Sequence, residues 1–340
     1  MLTMGEGHTL KSIEIDCQDA HPVSIRFTCD GRDIISSERY SDRVGGRIQQ
    51  YKVGDNPSQH ASLLQDAADG IDSAVMSNDG RWIVSFVGKK VAVKNTTTDE
   101  VLEVDEHPST IHAIDVSPDS MRFVTGSEDM TIQVFSITTG KRLLGPLQHG
   151  SKVFGVRFSP NGAHIASLTF GPCAFVWDAR SSKELTERCV KSGYGPAVHL
   201  THCYTPLGWS NNSQRVFVVS SGWISNVDIP GGRMLPWNPR ESVPAGNNLT
   251  LCSLATNGKF IACSAGGSLS FWDTLSSTQI GPTIEFQESI LSIALSLDGS
   301  YLACGRGDKK ITIYSLRHIL PLQVILDVNI QLHPISSDVI

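Results

Sequence analysis

The stretch Val153-Phe154-Gly155-Val156-Arg157-Phe158-Ser159-Pro160-Asn161-Gly162, continued by His164-Ile165-Ala166-Ser167 and then by Ala174-Phe175-Val176-Trp177-Asp178, decides the fold. Its apolar runs alternate with the period of a half-buried β-strand. Asn161-Gly162 between two such runs is a strong hairpin signal, because both central positions of a type I′ turn need positive φ and these residues adopt it at low cost. The phrase reads as three antiparallel strands, the first two joined by a tight turn.

Working outward, the same phrase recurs along the chain. Dipeptides that align with Asn161-Gly162 are Asp30-Gly31, Asp79-Gly80, Asp119-Ser120, Asn212-Ser213, Asn257-Gly258 and Asp298-Gly299, which makes seven copies. The third runs end at Tyr51, Lys94, Phe135, Trp177, Val227, Trp272 and Tyr314, at spacings of 43, 41, 42, 50, 45 and 42 residues. A period of this length suits a blade of four strands. The chain therefore reads as all-β, a seven-bladed β-propeller of four-stranded antiparallel blades. Extra residues fall in blade one around Glu38 to Arg47 and between blades four and five around Glu187 to Tyr204.

The repeats resemble the WD40-repeat family over roughly residues 8 to 316. Trp177-Asp178 and Trp272-Asp273 supply the dipeptide after which that family is called, and Phe158 to Gly162 and Val116 to Asp119 match its turn phrase. The resemblance implies a hydrogen-bonded set of His, Ser or Thr, Asp and Trp in each blade. Blade three has His107, Thr125 and Asp129 with Phe135 in place of Trp, and blade four has His149, Ser167 and Trp177 with Gly171 where Asp would stand. No blade keeps all four, so apolar packing between blades is expected to supply most of the stability, with blades two and five the least regular. The resemblance also implies closure by an N-terminal strand, and Leu10 to Ile15 has the alternation to pair with the strand ending at Tyr314. On this reading residues 1–319 form the propeller and 320–340 a C-terminal extension, in which the run Val324 to Val328 competes for the same edge.

Composition agrees with a globular chain: 340 residues, 40% hydrophobic, 18% charged. The formal charge of -6 and the absence of a run of like charges do not suggest a polyanion-binding surface, so direct nucleic-acid contact is not expected. The N-terminus lacks the basic start and apolar stretch of a signal peptide, and no apolar run reaches the length of a membrane span. The eight cysteines have no C-x-x-C spacing and read as reduced thiols in a cytoplasmic or nuclear protein.

Catalytic motifs are missing. There is no phosphate loop, no His-Glu-x-x-His and no Gly-x-Ser-x-Gly, and the nearest approach to a metal pair, His199 and His202 with Cys203, reads as a solvated loop. The strand-start positions facing the central channel, His21, Gly70, Thr110, Lys152, Cys203, Asn248 and Ser289, include one base and no acid. We expect no enzyme, no cofactor and no metal.

In the family resembled, the rim where first strands begin commonly takes partner peptides. The corresponding positions here include His112, Lys152 and Phe154, and the adjacent connections supply Glu128, Phe170, Trp223 and Arg306, a set with the aromatic and arginine character of interface hot spots. The expected function is a non-catalytic scaffold binding other proteins or peptides, with no membrane role. The alternative rests on Trp177-Asp178-Ala179-Arg180, which resembles the Trp-Asp-x-Arg ending by which some WD40 proteins dock, through the Arg, onto the adaptor of cullin-RING ubiquitin ligases. That reading makes the chain a substrate receptor with Arg180 as the bonding group. The oligomeric state is left open.

Overall fold

The computed structural model describes residues 12–42, 45–53, 60–67, 71–170, 173–186, 190–191, 207–220, 223–229, 234–236 and 252–321. Each copy of the phrase forms its three strands. In blade 4 these are Val153–Phe158, His164–Thr169 and Cys173–Asp178, with Val190–Lys191 as a fourth. Seven four-stranded antiparallel sheets result, with first strands that begin at Ala20, Ser73, Ile111, Val153, Leu207, Cys252 and Ile290. First strands of successive blades contact one another in a closed cycle, and that of blade 7 contacts that of blade 1. They therefore surround the ring axis. Closure buries sheet faces that an isolated blade would expose.

The last blade has only three strands of its own. Its fourth is Ser12–Asp16 from the N-terminal end, which pairs antiparallel with Lys310–Ser315 from Ser12 opposite Tyr314 to Asp16 opposite Lys310. Ile15 and Ile25 pack there with Ile311 and Ile313, so one apolar cluster joins both ends of the ring. Leu320 is buried in the neighbouring cluster with Leu316 and Tyr314; residues 322–340 lie outside the described residues.

The turns differ from expectation in one respect. At all seven dipeptides the second residue has positive φ, between 58° at Ser213 and 86° at Gly258, while the preceding Asn or Asp does not. They are thus not type I′ turns. In blade 2, Gly80 N–H donates to the Ser77 carbonyl at 2.9 Å, and Ser77 Oγ donates to Asp79 Oδ1 at 2.6 Å. The Ser two residues upstream lengthens the loop, so only its last position has to be left-handed.

In blades 3 and 4 the incomplete polar sets leave no side chain of the set without a partner. His107 reaches Asp129 at 2.6 Å and Thr125 at 2.7 Å, and the Thr125 hydroxyl donates to the Gln133 carbonyl at 3.4 Å where a Trp would have donated to it. In blade 4, Trp177 Nε1 donates to Ser167 Oγ at 3.1 Å, and Ser167 meets His149 Nε2 at 2.8 Å. The Leu147 carbonyl, 3.0 Å from His149 Nδ1, does the work of the missing Asp. Blade 1 has its own version, in which fully buried Glu38 accepts from Tyr51 at 2.6 Å and from Arg47 at 2.7 Å.

Blade 2 pairs without register shifts, contrary to the expectation of irregularity, whereas the first strand of blade 5 is only Leu207–Trp209. The blade 1 insertion lengthens its hairpin, Asp33–Tyr40 against Gly46–Lys52. Most of the second insertion, with His199, His202 and Cys203, lies outside the described residues, as do Gly70, Gly171 and Asn248. Cys17, Cys263 and Cys304 are buried thiols outside any disulfide, and Cys29 is an exposed one. Cys173 is disulfide-bonded, which corrects the expectation that every thiol is reduced.

Candidate partner-binding site

Where the first strands begin, four blades carry a β-bulge that the sequence does not announce. The pairing register shifts between Pro22 and Ser24, Ile111 and Ala113, Val153 and Gly155, and Ile290 and Ser292. The extra residues are Val23, His112, Phe154 and Leu291. A bulge bends the strand and re-aims one side chain. In blades 3 and 4 the re-aimed pair meets across the seam: the His112 and Phe154 rings stack at 4.5 Å and 29°.

The connections between second and third strands complete the cluster. Glu128 N–H donates to the Thr110 carbonyl at 2.9 Å and Phe170 N–H to the Lys152 carbonyl at 2.8 Å, which holds both residues against the first-strand starts. Phe170 then lies 5.8 Å from Phe154, ring to ring. Glu128 Oε1 accepts from Lys152 Nζ at 2.9 Å and stands 3.1 Å from His112 Nε2. The hydrogen bond from Lys152 and then that from His112 lower the Glu128 pKa, so it is a carboxylate at neutral pH. Phe154 is 8% exposed and Phe170 37%. The first is packing and the second is surface. Together they present an apolar edge beside a balanced Lys–Glu pair.

Five of the eight residues chosen from the sequence thus come together: His112, Glu128, Lys152, Phe154 and Phe170. Arg306 does not join them. It is the last residue of the second strand of blade 7, opposite Ile290, and the residue matching Phe170 is Gly307, whose N–H donates to the Ser289 carbonyl at 2.9 Å. A slip of one residue sends a strand side chain to the other face. Arg306 accordingly turns into the blade, pairing with Asp308 at 2.5 Å and Glu14 at 3.3 Å. Trp223 opens the third strand of blade 5 opposite Ser220 instead of lying in the connection. Arg180 is exposed at the other end of blade 4, where Ala179 N–H donates to the Ala163 carbonyl beside the Asn161-Gly162 turn at 2.8 Å.

Charged residues that the sequence reading passed over lie at the far ends of the first strands, around a cavity of about 480 Å³ on the ring axis. Arg26, Asp115 and Arg157 each stand four residues before their turn dipeptide. That spacing is legible in the sequence.

A closed ring of seven four-stranded blades, with binding-type side chains displayed where first strands begin, defines a β-propeller of the repeat type. Residues 99–136 and 281–315 match the family model described as WD domain, G-beta repeat, so the seven-bladed ring carries two matched WD40 repeats. Both matches begin before the last strand of one blade and run through three strands of the next, so each sequence repeat staples two blades together.

The chain is similar to the serine-threonine kinase receptor-associated protein of Gallus gallus, 24% identical over 193 residues, covering 54% of this chain and 53% of that protein. It is 32% identical over 187 residues to actin-interacting protein 1 of Drosophila melanogaster, covering 53% of this chain and 29% of the other. With the periodic tryptophan protein 2 homolog of Dictyostelium discoideum it shares 20% identity over 263 residues, 74% of this chain and 27% of that one. The chain thus spans about half or less of the length of these relatives. Among the described residues no helix is long and apolar enough to cross a membrane.

Proposed function

We propose that the chain is a non-catalytic scaffold, cytoplasmic or nuclear, that binds partner proteins or peptides on the rim where first strands begin, centred on the seam between blades 3 and 4. The observation that carries this reading is the joint display of Phe170, Lys152 and Glu128 by two blades around the His112–Phe154 stack. A ligand fitting it has an aromatic or aliphatic side chain to cover Phe170 and a charged neighbour to engage the ion pair. Relatives with names that include a receptor-associated and an actin-interacting protein support a binding role.

The test selects peptides from a displayed library on the wild-type chain and measures their affinity for Phe170→Ala and Lys152→Glu variants. Loss of about tenfold or more, with unchanged melting temperature, is expected for residues at the centre of an interface. Phe154→Ala is a poor probe, since emptying a buried aromatic site costs about 3–5 kcal/mol by itself. Adaptor docking through Arg180 predicts a different pattern: capture of the ubiquitin-ligase adaptor that disappears with Arg180→Ala and survives both cluster variants. Peptide binding indifferent to Phe170 and Lys152 would refute the rim reading.

A further inference from the structure

The strand-pairing registers place one position of every first strand at a common level of the channel: the residue just before the one whose second-strand partner also pairs with the third-run terminus. In blades 1, 3 and 4 it is Arg26, Asp115 and Arg157; in blades 2, 5, 6 and 7 it is Val75, Gly208, Ala255 and Ala294. Four apolar or small residues leave room at that level, and three charged ones reach into it. The three line the same cavity of about 480 Å³, a volume within the usual range for a small-molecule site.

The charges do not balance. Asp115 is already engaged: Oδ2 accepts the Phe158 N–H at 2.8 Å, and Oδ1 lies 3.5 Å from Arg157 Nη1. The Arg26 side chain makes no hydrogen bond and no ion pair within 4 Å among the described residues, and both its Nε and the Arg157 Nε are buried without a partner. Asn257, on the same wall, also leaves its Nδ2 donor unpaired. Every buried side-chain polar atom lining this cavity and lacking a partner, among the described residues, is a donor. Burial first, then the like charge of Arg157, lower the Arg26 pKa, with Asp115 opposing. Two guanidiniums and one carboxylate leave a positive charge inside a chain whose formal net charge is -6.

From the level ring of Arg26, Asp115 and Arg157 and its unpaired donors, we infer that the central channel is a binding site for a small oxyanion of the phosphate class, held between the guanidiniums of Arg26 and Arg157. A tetrahedral oxyanion offers several acceptors to two planar forks of donors, and charge-assisted bonds of this kind are the strong ones. Asp115 limits the site by partly neutralising it. The site lies at the end of the channel away from the blade 3–4 cluster and does not depend on partner binding there.

The test is calorimetric and thermal-melt titration of the full chain with inorganic phosphate, and with acetate as a carboxylate probe, against chloride at matched ionic strength so that general screening cancels. Saturable phosphate binding is expected, with a melting temperature that rises by mass action. Arg26→Met breaks no hydrogen bond in the protein and should weaken phosphate by about tenfold or more, the loss of one charge-assisted contact. Arg157→Met should do the same, and Asp115→Asn should tighten it. Acetate binding with the same dependence on both arginines also supports the oxyanion site and assigns it the broader class. The inference is overturned if phosphate adds nothing to chloride, or if Arg26→Met binds phosphate as the wild type does.

Discussion

Single residues explain how a propeller with defective polar sets stays intact. His149 donates to a backbone carbonyl in place of an Asp and is buried against the Trp177 and Phe175 rings. Burial is the main cause that lowers its pKa from 6.5 to about 4, so the folded chain holds it neutral. Between those two values the unfolded chain takes up a proton that the folded chain does not. Its stabilising contribution is therefore complete above pH 6.5, shrinks as the pH falls, and is gone below 4. Urea unfolding at pH 7 and pH 5 should show a loss of about 2 kcal/mol in the wild type beyond that in His149→Gln. Equal pH dependence in the two proteins would refute this assignment. None of it was legible beforehand, because the resemblance marked an Asp as missing and could not show a carbonyl taking its place.

At the scale of elements, the blades meet more closely than strand patterns reveal. Gly126, in the second strand of blade 3, lies so near blade 4 that a Cβ there would stand 2.7 Å from Val153 Cγ1 and 2.9 Å from Val156 Cγ1. Gly305 faces the Pro22 carbonyl of blade 1 across another seam, with 2.7 Å left for a Cβ. Such interiors are packed like crystals and do not absorb an extra methyl freely. Gly126→Ala should cost about 1–3 kcal/mol in denaturant unfolding. Combined with Val153→Ala, which vacates the space, it should cost less than the sum of the single changes, and simple additivity would count against the close seam. The strands, their order and the seven hairpin positions were readable from the alternation and the turn residues. The bulges at His112 and Phe154 were not, since a bulge inserts one unpaired residue into a run that still looks alternating; the slip at Arg306 was, since Gly307 follows Gly299 by the same eight residues that separate Phe170 from Gly162.

At the scale of the whole molecule, stability depends on a contact between residues about 300 positions apart. Ser12–Asp16 completes the blade formed by the chain's last three strands, and Ile15 is buried between Ile311 and its neighbours. Loop-closure entropy makes such a pairing late in folding. Ile15→Ala should therefore cost about 2–4 kcal/mol, appearing almost wholly as faster unfolding with the refolding rate unchanged. Stopped-flow measurement of both limbs decides this; slower refolding would mean that the ring closes before the transition state.

The amino-acid sequence by itself determined the all-β class, the count of seven blades, the closing strand and the rim on which His112, Glu128, Lys152, Phe154 and Phe170 stand. The class and the count follow from local signals, a period of two within runs and a period near 42 residues between them, and each copy reinforces the others; the closing strand and the rim follow from the family resemblance that those copies carry. Only the tertiary structure decided which side chains touch. His112 reaches Phe154 and Asp115 reaches Arg157 because blades about 42 positions apart lie side by side, and Arg26 joins them because the ring curves back on itself. Strand register and ring curvature set those meetings, and neither is written in any one segment of the chain.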